Sequence, residues 1–127
     1  MNVDNTLEID IKVEVSHVAE QSDPEAHRYA FAYTITISNL GQKAARLLRR
    51  RWVITDSNGK VQEVRGKGVV GEQPHIQPGE YFQYTSGAVI ETAVGTMEGV
   101  YEMVTNDGHD FLAPIPRFTL SIPRTLH

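Results

Sequence analysis

The residues most suggestive of chemistry are Gly66-Lys67-Gly68-Val69-Val70-Gly71, which match the pattern G-x-G-x-x-G. That spacing cradles a pyrophosphate where the glycines join a strand to a helix whose N-terminus faces the phosphates. Here Pro74 and Pro78 fall within seven residues of Gly71, where the helix would have to run. The glycines are therefore expected to serve a bulged turn, by positive φ or close backbone approach. A loop rich in N–H groups still forms an anion-binding nest without a helix, and Lys67 would add charge. Gly66, Lys67, Gly68, Gly71, Gln73 and Pro74 thus form a candidate ligand or partner loop.

Arg46, Arg49, Arg50 and Arg51 are the densest charge in the chain. On a strand, Arg49 and Arg51 share one face, while Arg50 shares the other with Leu48, Trp52 and Ile54. Arg50 then breaks the apolar phase unless a bulge intervenes or it lies at the sheet's rim. The plain reading is an edge strand protected by cations. The functional reading makes Arg49 and Arg51 a docking patch for an anionic partner, protein or RNA. Ser86-Gly87 lacks the G-x-S-x-G elbow of a serine hydrolase. His17, His27, His75, His109 and His127 show no metal-ligand spacing. Asp107, His109 and Asp110 read as a solvated turn rather than a cation site. No catalytic residue, metal ligand or cofactor is assigned.

The elements that position these residues follow a period of two. Leu7 to Val15 alternates apolar and charged residues without a fault, as a half-buried strand does. Gln21 to His27 reads as a loop. Tyr29 to Ile37 alternates again, and its small face, Ala30, Ala32, Thr34 and Thr36, suits a covering element. Ala45 to Thr55 carries the only tryptophan, Trp52, whose alternation with Ile54 favours the core. The run ends at Asp56-Ser57-Asn58-Gly59, a hairpin signal, and Lys60 to Arg65 returns as its partner. Tyr81 to Thr85, Met97 to Thr105 and Arg117 to Ile122 supply further strands. No helical stripe exceeds two turns. Seven or eight short strands separated by turns indicate one all-β domain, an immunoglobulin-like antiparallel sandwich over residues 1–127, with its ordered core about 7–123.

Size and composition agree. A chain of 127 residues with 40% apolar content fills one core. It has no cysteine, hence no disulfide or thiolate site. Met1 to Thr6 is polar and acidic, unlike a secretion signal, and no apolar run spans a bilayer. A cytoplasmic location without membrane attachment is expected. The net charge of −4 leaves no broad basic face, so nucleic acid is not an expected partner.

Several blocks then align in order: Trp52-x-Ile54-x-Asp56-x-Asn58-Gly59, the Gly66–Gly71 run with Gln73-Pro74, Pro78-Gly79-Glu80-x-Phe82-x-Tyr84-x-Ser86-Gly87, and Gly95-x-Met97-x-Gly99-x-Tyr101-x-Met103. With Ile115-Pro116-x-Phe118-x-Leu120 at the end, the chain resembles the ApaG family from about Ile11 to Ile122. The resemblance implies a fibronectin type III-like sandwich. It also implies protein binding, since related domains are fused into F-box proteins and a DNA-polymerase-delta-interacting protein. Bacterial members, also associated with the name CorD, are linked genetically to cobalt and magnesium resistance, and lie beside genes for dinucleoside polyphosphate hydrolysis and rRNA methylation. The resulting expectation is a non-catalytic module that binds a protein through sheet edges and the loops of residues 66–79; a homodimer is an added possibility. The alternative is a regulatory domain responsive to a phosphate, nucleotide or divalent cation through Gly66–Gly71.

Overall fold

The structure, a computed structural model, describes residues 7–123. Met1 to Thr6 and His127 lie outside them. Eight strands occur in the described residues: β1 (Ile9–His17), β2 (Tyr29–Asn39), β3 (Ala45–Asp56), β4 (Val61–Lys67), β5 (His75–Ile76), β6 (Tyr81–Ile90), β7 (Val94–Thr105) and β8 (Asp110–Ser121). They form two antiparallel sheets, β1-β2-β6 and β4-β3-β7-β8, with the short β5 beside the start of β3. The expected all-β sandwich is what the chain adopts.

Its core follows from alternation. Phe31, Tyr33, Ile35 and Ile37 of β2 are buried, as are Leu47, Trp52 and Ile54 of β3 and Met97, Tyr101 and Met103 of β7. Trp52 is 2% exposed, enclosed edge-on by Tyr33, Tyr101 and Phe118. These aromatic contacts each add about 0.5–1.5 kcal/mol to the area buried. The Trp52 indole N–H is the one buried side-chain polar atom without a partner among the described residues.

The strand boundaries differ from expectation in physical ways. β6 continues past Thr85 to Ile90, because Ser86 and Gly87 pair with Tyr33 and Ala32 rather than ending the ladder. β8 begins at Asp110 and runs through Pro114 and Pro116. It is an edge strand with a register shift between Met97 and Gly99 of its neighbour, which is where a strand tolerates missing N–H groups. The small face of β2 is only partly covered. Ala30 donates its N–H to Ser22 Oγ beneath the 3₁₀ turn Ala19–Gln21, whereas Thr34 and Thr36 bond outward to Thr85 and Gln83.

Across the core, the hydroxyls of Tyr84 (β6) and Tyr101 (β7) hydrogen-bond to each other and tie the sheets together. Burial raises both phenols above the ordinary tyrosine range, and Arg50 offsets part of the rise. A raised folded-state pKa means stability that is present below about pH 10 and lost as pH climbs beyond it. Ultraviolet titration should therefore show these two phenols ionising only together with alkaline unfolding. Tyr84→Phe leaves the Tyr101 hydroxyl buried and unpartnered, an expected loss of about 1–3 kcal/mol in urea denaturation. Adding Tyr101→Phe should recover part of that loss; a double variant as costly as the sum would exclude a coupled pair.

Candidate functional site

The arginine run lies on β3, and β3 is a central strand between β4 and β7, so it is not a protected edge. A β-bulge separates Leu47 from Arg49: Leu47 faces Met103 and Arg49 faces Glu102, leaving Leu48 as the extra residue. The bulge shifts the side-chain phase by one. Leu47 points into the core before it; Arg50, Trp52 and Ile54 take the inward phase after it. The apolar phase is thus broken by a bulge and by a half-buried arginine together.

Arg50 and Arg46 build the glycine loop. Arg50 Nη1 donates to the carbonyls of Gly68 at 2.9 Å and Lys67 at 3.3 Å. Its guanidinium lies over Gly66, where a Cβ would stand 2.7 Å from Cζ. Arg46 Nη1 donates to the Gln73 carbonyl at 2.7 Å, and Gln73 Nε2 donates to the Leu48 carbonyl at 3.0 Å. The Pro74 carbonyl accepts from the Leu47 amide. The loop is therefore anchored on the bulge from both its ends.

Within the loop, Val69 and Glu72 exchange both backbone hydrogen bonds around Val70 and Gly71. Val70 has φ 42° and Gly71 φ 81°, so the two central residues form a type I′ turn. A β-branched residue in this region costs about 1–2 kcal/mol, and here the strained Val70 side chain is exposed. The amides of Gly68, Val69 and Glu72 are all donated to carbonyls of the chain itself. An anion nest built on those N–H groups has no donors left from them.

Lys67 instead belongs to a different constellation. Opposite each other across β3 and β4 stand Arg49 and Lys67, then Arg51 and Arg65. All four are exposed and line an open cavity of about 590 Å³ with Leu48, Gln73 and Glu102. Like charges directly opposite on a sheet destabilise it by roughly 0.2–1 kcal/mol per pair. Arg65 has Glu63 Oε1 at 3.8 Å, but Arg49, Arg51 and Lys67 make no ion pair among the described residues. With the half-buried Arg50, five of the chain's twelve basic residues thus line this cavity in a protein whose net charge is −4.

The fold joins the two groups singled out by sequence, placing Lys67 of the loop beside Arg49 and Arg51. Gly66, Gly68, Gly71, Gln73 and Pro74 shape and hold the chain that follows it. Arg65 is the member that the sequence pattern does not single out. Counting back from the hairpin pair Thr55–Val61 sets it opposite Arg51. The turn at residues 107–110 is occupied by internal bonds: Asp107 accepts from the Thr105 hydroxyl and from Lys43 Nζ at 2.9 Å. Those bonds, the Thr105 one foremost, hold its carboxyl down at about 2. Among the described residues no three His, Asp or Glu side chains gather as a metal site, and no helix is long and apolar enough to cross a membrane.

The ApaG domain profile matches residues 19–105. Protein ApaG of Thiobacillus denitrificans is 61% identical over 120 residues, covering 94% of each chain. Protein ApaG of Azoarcus sp. is 58% identical over 127 residues, all of both chains. A crystal structure of an ApaA protein from Bordetella pertussis superposes with a TM-score of 0.90 at 48% identity, covering 93% of this chain and 96% of that one. Profile, relatives and fold agree over the sandwich and its glycine loop, and the chain belongs to the ApaG domain family.

Proposed function

We propose that this protein is a non-catalytic binding module that takes an acidic segment of a partner protein across the outer face of β3 and β4. The observation that carries this reading is the pair of like-charged cross-strand contacts, Arg49 with Lys67 and Arg51 with Arg65. A sheet gains nothing from that arrangement alone, whereas a polyanion bridging the four relieves the repulsion and adds charge-assisted hydrogen bonds. The cavity lining holds one carboxylate, Glu102, and no histidine, serine or threonine, which fits binding rather than turnover. No aromatic ring lines it either, so a nucleobase would find nothing to stack on. Isologous pairing through this face would set cations against cations, so a homodimer would have to use other edges. A cytoplasmic location goes with this reading, as does the absence of cysteine.

The phosphate alternative uses the same side chains, and a divalent cation would approach this face only as the companion of such an anion. Two-dimensional amide NMR separates the readings. Octaglutamate should give saturable shifts centred on Arg49, Arg51, Arg65 and Lys67 that fade with added salt, while octalysine gives none. Tripolyphosphate saturating the same amides at much lower concentration would replace the protein-partner reading with the phosphate one. Silence toward both anions would remove the face as a site.

A further inference from the structure

Beside the cationic cavity lies a second groove, of about 400 Å³, lined by Leu48, Arg49, Glu102, Met103, Phe111 and Leu112, with Asp110 at its end. Leu48, Arg49 and Glu102 line both, so the two depressions adjoin along one face. The register makes the relation definite. Lys67, Arg49, Glu102 and Leu112 stand in one row across β4, β3, β7 and β8. Ordinary alternation places Leu112 on this outer face beside Glu102. The bulge leaves Leu48 half-buried along both depressions, and Leu112 is 63% exposed. The row therefore changes from cationic to apolar as it crosses the sheet, with Glu102 marking the divide.

We infer that the partner segment carries an apolar side chain about three residues from the centre of its acidic cluster, and that this side chain seats between Leu48 and Leu112. The inference rests on the acidic-segment reading given above. Its spacing comes from sheet geometry: the centre of the cations, between β4 and β3, lies about two strand spacings from the space between β7 and β8. Two spacings are about 9.6 Å, the rise of about three residues of extended chain. Glu102 and Asp110 exclude further acids from the apolar end, which fixes the direction of the segment. A lone exposed leucine on an edge strand is ordinary; a leucine sharing a groove and a register row with a cation cluster whose one ion pair is Arg65–Glu63 is a two-part surface.

The test compares two peptides by amide NMR titration of the intact chain: four glutamates followed by one glycine and a leucine, and the same peptide with serine replacing leucine. The leucine peptide should bind about tenfold more tightly, from burial of one aliphatic side chain. Leu112→Ser should erase that difference while leaving the serine peptide's affinity unchanged. Moving the leucine four glycines further from the glutamates should also erase it. Equal binding of both peptides to the unaltered protein overturns the apolar anchor and leaves the acidic-segment reading standing. Leu112→Ser weakening both peptides alike overturns it too, since Leu112 would then act only through the sheet. Failure of both peptides to bind at all overturns the reading beneath it as well.

Discussion

Gly68→Ala is expected to destabilise the protein by about 3 kcal/mol, lowering the thermal midpoint by roughly 10 °C. Gly68 has φ +66°, and a Cβ there would stand 2.2 Å from the Glu72 carbonyl oxygen. Strain in the left-handed region accounts for about 1 kcal/mol of the loss. The clash is with backbone, so relief requires moving the Val69–Glu72 turn as a unit, and that turn is held by both of its hydrogen bonds. Val69, between them, is 1% exposed and belongs to the core. Gly71 is the internal control. It has φ +81°, and a Cβ there would meet nothing within 4 Å, so Gly71→Ala should cost only about 1 kcal/mol. Urea denaturation of the two variants decides the role of the glycine pattern. Near-equal midpoints would mean that Gly68 does not hold the turn against β3.

How much of this is legible without coordinates varies by element. The fault-free alternation from Leu7 to Val15 marks β1 directly, and the period of Tyr29 to Ile37 marks β2, because both strands are regular and face a single core. The hairpin after β3 falls on the expected residues but uses a different turn. Gly59 alone has positive φ there, at 82°, and Asp56 Oδ1 accepts from the Asn58 and Lys60 amides. The two-residue type I′ turn occurs instead at Val70-Gly71, where no Asn-Gly advertises it. The prolines of β8 hide its first half, since only its edge position and bulge permit them. The bulge at Leu48 is the feature least visible in the sequence. One extra residue reverses every later side chain, and local sequence does not say where the ladder slips.

That bulge explains why four arginines within six residues have two unrelated tasks. Arg46 and Arg50 lie on opposite sides of the slip and reach the loop carbonyls of Gln73 and Gly68. Arg49 and Arg51 point outward to meet β4. The loop fixes the end of β4, and β4 presents Arg65 and Lys67 in register with the outward pair. Glycine loop and charged face are therefore one device: the first holds the strand that completes the second.

Arg51→Glu should consequently move binding and stability in opposite directions. Binding of octaglutamate is expected to fall by at least about a hundredfold, because one attractive contact is lost and a repulsive one is added at the centre of the face. Stability should hold or rise by about 0.2–1 kcal/mol, since Arg51 faces Arg65 directly and the new carboxylate would pair with it. Both side chains are exposed, so neither change disturbs the core. A site kept for packing would lose stability on such a reversal; a site kept for an anion gains stability and loses its ligand. The companion variant Arg65→Glu separates charge from position. With Arg51 retained it should also raise stability and weaken binding, and the double reversal should restore the like-charge penalty while abolishing binding entirely. Raising the salt concentration should shrink every one of these differences. Binding unchanged in Arg51→Glu, measured on a protein of unaltered fold, would remove the cationic face from the function of this protein.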